Sequence, residues 1–77
     1  MFEKIQTIIH EECGVEREDI TPEANLRGDL GIDSMAAVNM SFEVESAFGI
    51  TITDEELAAL TTVSDVVALV EAKRSAK

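Results

Sequence analysis

A chain of 77 residues with 45% apolar side chains has room for one small folded unit and too much apolar content for general disorder. A core of this size rarely leaves more than roughly 3–5 kcal/mol of net stability, enough to hold helices together and little to spare for a deep catalytic cleft. Sixteen acidic residues against six basic ones give a net charge of −10, which repels phosphate backbones and anionic headgroups and argues against nucleic acid or membrane as partners.

Phe2, Ile5, Ile9 and Cys13, with Ile8 beside them, recur at helical spacing and predict a first amphipathic helix. Gly14 follows and can supply the left-handed conformation that ends it. No basic segment leads into a long apolar stretch, so no signal peptide is expected. No apolar run approaches the ~20 residues that span a bilayer. Residues 15–32 read as a long connection punctuated by Pro22, Gly28 and Gly31. Its apolar anchors are Val15, Ile20, Leu26, Leu30 and Ile32. A solvated linker would not need them, so the loop is expected to lie pinned across the bundle.

Asp33 opens a second helix running to about Phe48, its carboxylate accepting orphan backbone N–H groups for a gain of ~1 kcal/mol. Met35, Val38 and Phe42, with Met40, Val44, Ala47 and Phe48, give this helix a wide apolar face, and Gly49 closes it. Ile50-Thr51-Ile52-Thr53 alternates as a strand would, but no second strand is there to pair with it, so an extended loop is expected. Thr53-Asp54-Glu55-Glu56 fits a capping box for a short helix through about Ala59. Thr62 can cap a last helix carrying Val63, Val66, Val67 and Val70 on one stripe. Lys73, Arg74 and Lys77 stand at or beyond its end, where the helix dipole favours cations. The expected fold is all-α: a small four-helix bundle over the single domain 1–77, with three longer helices, one short one, and a long loop between the first two.

Catalytic chemistry finds little support. His10 and Cys13 are the only residues of their kinds, and two ligands three apart make a poor zinc site. The plain reading is a surface histidine and a buried thiol. Glu43 and Glu45 are two apart and point to different sides of a helix. Arg27-Gly28-Asp29-Leu30-Gly31 lacks the lysine of a phosphate-binding loop. No enzyme and no metal site are expected. A lone cysteine forms no intrachain disulfide, which fits a reducing compartment, and a cytoplasmic monomer is expected.

Ser34 is different. It stands directly after the cap, where free N–H groups and the helix dipole favour an anion. A phosphodiester on its hydroxyl would gain roughly 0.3–1 kcal/mol there. Asp and Ser are also ordinary helix-start residues, and the pair alone says no more than that. The charge pattern adds something. No Lys or Arg lies between Arg27 and Lys73, a stretch holding Asp29, Asp33, Glu43, Glu45, Asp54, Glu55, Glu56, Asp65 and Glu71. A run of one sign points to partners with basic surface patches.

Gly31-Ile32-Asp33-Ser34-Met35, preceded by Asp29-Leu30, resembles the phosphopantetheine attachment motif of the acyl carrier protein family. Gly14-Val15, the long loop, Glu45, Phe48, Asp54-Glu55-Glu56 and Thr61-Thr62-Val63 also fall where that family has similar residues, so the resemblance covers nearly the whole chain. It implies a four-helix bundle with the serine at the start of the second helix. It implies a covalent 4'-phosphopantetheine arm on Ser34, transferred from coenzyme A by a phosphopantetheinyl transferase. Asp33 would cap the helix and help the transferase engage. The arm's thiol, not Cys13, would carry acyl groups as thioesters.

The same resemblance implies a carrier without catalysis of its own. It would shuttle acyl cargo among enzymes that meet Met35, Glu43, Glu45, Asp54, Glu55 and Glu56, with fatty acid biosynthesis as the default pathway. Burying an acyl chain gains ~0.8 kcal/mol per CH₂, and Met35, Met40, Val44, Ala47, Leu57 and Val63 are candidates to line its pocket. Met35 stands where the family usually has leucine, and Ala36 and Asn39 where fatty-acid carriers often have carboxylates. That departure points toward a dedicated polyketide, lipid or peptide pathway. A structural adaptor that keeps the fold without the arm is the remaining alternative.

Overall fold

A computed structural model describes residues 1–75. The chain forms α1 (Phe2–Cys13), a 3₁₀ turn (Arg17–Asp19), α2 (Ser34–Phe48), α3 (Asp54–Ala59) and α4 (Val63–Ser75). The fold is the all-α bundle expected, three longer helices and one short one. No strand forms among the described residues; Asn25 and Thr62 meet as an isolated antiparallel bridge. Residues 50–53 form no strand and lie between α2 and α3 as a loop, as expected. Lys77 lies outside the described residues.

Burial of one stripe from each longer helix makes the core. Ile5 and Ile9 of α1, Met40 and Val44 of α2, and Val63, Val66 and Val70 of α4 are fully enclosed with Ile20 from the loop. Each such side chain contributes roughly 1.5–3 kcal/mol of burial, set against the entropy of ordering the chain. Gly14 ends α1 at φ 69°, and its N–H donates to the His10 carbonyl. A Cβ would strain that left-handed backbone.

The long loop is pinned, by apolar anchors and by hydrogen bonds. Ile20, Leu26 and Ile32 are buried, Val15 and Leu30 half-buried; Ala24 is a further buried anchor that the pattern did not single out. The Gln6 amide donates to the carbonyls of Arg17 (2.9 Å) and Ile20 (3.0 Å). Leu26 N–H donates to the Thr61 carbonyl (2.9 Å), and the N–H groups of Val63 and Ser64 donate back to Ala24 (3.1 Å) and Pro22 (2.9 Å). The loop thereby supplies partners for donors at the start of α4 that no helix could satisfy internally.

His10 and Cys13 differ from the surface histidine and buried thiol expected. Both are half-buried. His10 Nδ1 lies 2.7 Å from the Val15 carbonyl oxygen, which can only accept, so Nδ1 carries the proton and donates. The ring thus fixes the loop's first turn.

The apolar face of α2 divides. Met40 and Val44 enter the core, whereas Met35 is 77% exposed, Phe42 62% and Val38 40%. At 3.6 residues per turn, 35, 38 and 42 fall on roughly the opposite side of the helix from 40, 44 and 48. Ser41 is buried beside Met40, its hydroxyl satisfied by donating to the Val38 carbonyl (2.7 Å).

Two caps place the last helices. In α3, Glu56 N–H donates to Thr53 Oγ1 (3.1 Å) and Thr53 N–H donates to Glu56 Oε1 (2.9 Å), the capping box expected. The same Glu56 oxygen meets Lys73 Nζ at 2.7 Å, tying α3 to α4. At α4, Asp65 Oδ2 accepts from the N–H groups of Thr61 (3.0 Å) and Thr62 (3.1 Å), and Asp65 N–H donates to Thr62 Oγ1 (3.3 Å). The Thr62 and Thr61 backbone bonds hold the Asp65 carboxyl below its ordinary range. A carboxylate depressed on folding adds stability that is present above its unfolded pKa and lost as pH falls through the folded one. Asp65→Ala is therefore expected to melt below the wild type at neutral pH, with the gap closing in strongly acid solution. Thermal melts of both proteins along a pH series check this.

Candidate functional site

Three residues set the start of α2. Gly31 turns the chain at φ 66°, a left-handed backbone that a side chain would strain. Asp33 follows in extended conformation, and its Oδ1 accepts from Ala36 N–H at 2.8 Å. Its carbonyl accepts from Ala37 N–H (2.9 Å), the first bond of the helix. Ser34 is then the first helical residue and is exposed, its hydroxyl making no hydrogen bond among the described residues. Asp33→Ala is expected to cost about 1 kcal/mol, the typical loss of an N-cap, read by chemical denaturation.

Ser34 lies in the wall of a cleft of about 190 Å³. Leu26 and Ile32 from the loop, Ala37, Val38 and Met40 from α2, and Leu57, Ala58 and Leu60 from around α3 make its apolar wall. Arg27, Ser34 and Asp54 supply polar groups, all three exposed. An exposed hydroxyl at a helix N-terminus, with an apolar channel beside it, suits a long mixed ligand: an anionic group at the serine and a flexible chain along the cleft.

Of the residues proposed to line a pocket, Met40 and Leu57 do so. Val44 and Val63 are sealed in the core instead, and Met35 and Ala47 are exposed. Ala37, Val38, Leu60 and Arg27 line the cleft without having been singled out. Periodicity finds residues that face a partner helix, whereas a cleft is made of residues from several elements where packing stops. Among the residues proposed to meet partners, Met35, Glu43, Asp54 and Glu55 are exposed, and Asp54 shares the cleft with Ser34. Glu45 and Glu56 serve the fold. Glu45 Oε2 accepts from Ile52 N–H at 2.6 Å, and Glu56 bonds Lys73 and Thr53, which hold its carboxyl below the usual range.

Residues 3–70 match the family model described as phosphopantetheine attachment site. The chain is 40% identical over 73 residues to an acyl carrier protein of Thermotoga maritima, a match covering 95% of this chain and 90% of that protein. It is 45% identical over 67 residues to the meromycolate extension acyl carrier protein of Mycobacterium bovis, covering 87% of this chain and 58% of that longer relative.

Proposed function

The chain belongs to the phosphopantetheine attachment family and is an acyl carrier, and within that family we propose that Ser34 takes the arm through its hydroxyl. One observation carries this reading: Ser34 is an exposed hydroxyl with no use in the fold, first on α2 and in the wall of an apolar cleft. Asp33 fixes the helix start beside it, and the helix N-terminus favours the charge of a phosphodiester. When attached, the arm supplies a terminal thiol on which acyl groups ride as thioesters. Cys13 competes poorly for that role. Burial, then Glu12 and Asp33, push its thiol above the ordinary cysteine range, and the thiolate is the nucleophile.

The carrier is not an enzyme; acyl-processing enzymes act on what it holds. Residues 1–77 make a single carrier domain in this reading. A phosphopantetheinyl transferase loads it from coenzyme A, and basic patches on its partners meet its acidic surface. The uncovered stripe of Met35, Val38 and Phe42, with exposed Glu43 on the same helix, supports docking along α2. No described helix is long and apolar enough to cross a membrane, and the cytoplasm is the proposed compartment. Fatty acid biosynthesis is the proposed pathway. A dedicated lipid pathway is the second reading, favoured by the missing carboxylates at Ala36 and Asn39 and by the relative named for meromycolate extension.

The test is the intact mass after incubation with coenzyme A and a broad-specificity phosphopantetheinyl transferase. One added phosphopantetheine mapped to Ser34 is the expected result. No addition, while a standard carrier in the same tube is loaded, sinks the assignment.

A further inference from the structure

The cleft beside Ser34 holds a cation that the fold does not use. Arg27 lines it together with Ser34 and Asp54. Among the described residues its guanidinium makes no hydrogen bond and no ion pair; only its backbone N–H is engaged. The other two arginines are occupied. Arg17 donates to Thr7 Oγ1 (2.7 Å) and Gln6 Oε1 (3.5 Å), and Arg74 lies 5.8 Å from the Phe48 ring centroid.

The backbone that presents Arg27 is tightly held. Asn25 Oδ1 accepts from the N–H groups of Arg27 (3.1 Å) and Gly28 (2.7 Å), and Asn25 N–H donates to Asp29 Oδ2 (2.7 Å). Leu26 is bonded on both sides, its N–H to Thr61 and its carbonyl to Ile32 N–H at 2.9 Å. That last bond sets the residue before Arg27 against the residue two before Ser34. The side chain therefore starts from a fixed backbone close to the beginning of α2, and only its own rotamers remain to be ordered when it takes a ligand.

Charge decides what that ligand is. Asp33 adjoins Ser34 and Asp54 shares the cleft, while no Lys or Arg occurs from residue 28 to residue 72. A phosphodiester at Ser34 would add negative charge next to Asp33 and in the cleft that Asp54 lines. Arg27 is the cation of the cleft, and its planar fork of donors matches phosphate oxygens. We propose that Arg27 is a positioning residue for the arm: its guanidinium pairs with the phosphodiester at Ser34 and holds the arm's charged end against the cleft wall. This rests on Ser34 being the attachment point.

The test uses the full chain, unloaded and loaded from coenzyme A, with intact mass reporting the loading. Arg17, Arg27 and Arg74 are the only arginines, so side-chain Nε–Hε signals in a ¹⁵N-labelled sample report on three sites. The Arg27 signal is expected to move on loading while the other two stay. The arm's phosphorus resonance is expected to shift in Arg27→Gln and to return toward the wild-type position in Arg27→Lys. The side chain is exposed and holds nothing in the fold, so both variants should fold as the wild type does. A loaded protein whose Arg27 signal is unmoved, or whose phosphorus resonance is the same in Arg27→Gln, overturns the role of Arg27 and leaves Ser34 standing. A protein that gains no mass while a standard carrier does overturns both.

Discussion

A Ser34→Ala variant is expected to melt with the wild type and to take up no phosphopantetheine at all. The cap that starts α2 belongs to Asp33, whose Oδ1 holds Ala36 N–H, and Ser34 only occupies the first helical position. Alanine is the best helix former, and the serine hydroxyl has no partner to lose. Surface changes of this kind stay within about 0.5 kcal/mol. Loading, by contrast, has no substitute. Ser41 is buried with its hydroxyl committed to Val38, exposed Ser46, Ser64 and Ser75 do not line the cleft, and Cys13 is half-buried with its thiol pushed up. Asp33→Ala makes the complementary case, lowering stability while leaving the hydroxyl in place. Thermal melts and intact masses of the two variants, measured side by side, separate the roles. Any phosphopantetheine gained by Ser34→Ala would remove Ser34 as the attachment point.

The helices were legible because their signals are local. The capping box of Thr53 and Glu56, the Asp33 cap, and the glycines after α1 and α2 each act within a few residues of themselves. A chain can be read at that range without knowing its neighbours. The stripes of α1 and α4 were legible too, since Ile5 and Ile9, or Val63, Val66 and Val70, share one side of a helix that has only one covered side.

α2 misled for the opposite reason. Its apolar residues occupy two sides, and an apolar count alone cannot tell a covered stripe from an uncovered one. Turning the helix by 100° per residue separates Met35, Val38 and Phe42 from Met40 and Val44, and that signal was present in the sequence. What covers a stripe is a tertiary fact. Helix packing covers Met40 and Val44, whereas among the described residues Met35 and Phe42 stay largely exposed.

The site was half legible. Ser34 and Asp33 sit in a contiguous motif. Arg27 and Leu60 join them only because the loop is bonded to the start of α4 and folds back on α2. Glu45 and Glu56 show the converse. Glu45 read only as surface charge, but it bonds the Ile52 N–H, and Glu56, already legible as the capping-box partner of Thr53, also meets Lys73. Their acidity serves the joints between helices.

Met40 lies where the core meets the cleft, and its truncation is expected to cost a large part of the fold's stability. The side chain is 1% exposed, packed in the core on one side and lining the cleft on the other. Met→Ala in a core costs about 2–5 kcal/mol, against a net stability of roughly 3–5 kcal/mol for a domain of this size. Met40→Ala is expected to be largely melted or close to it, whereas Met40→Leu, nearly equal in volume, loses less than about 1.5 kcal/mol. Ile9→Ala should cost as much as Met40→Ala, since Ile9 is fully enclosed, but Ile9 does not line the cleft. Acyl cargo distinguishes them. A chain that enters the cleft gains ~0.8 kcal/mol per CH₂ buried and can fill the space left by Met40, so acylation should restore much of the melting temperature of Met40→Ala and little of that of Ile9→Ala. Melts of the unloaded, loaded and acylated forms of each variant decide it. Equal recovery in the two variants would mean that the cargo lies elsewhere.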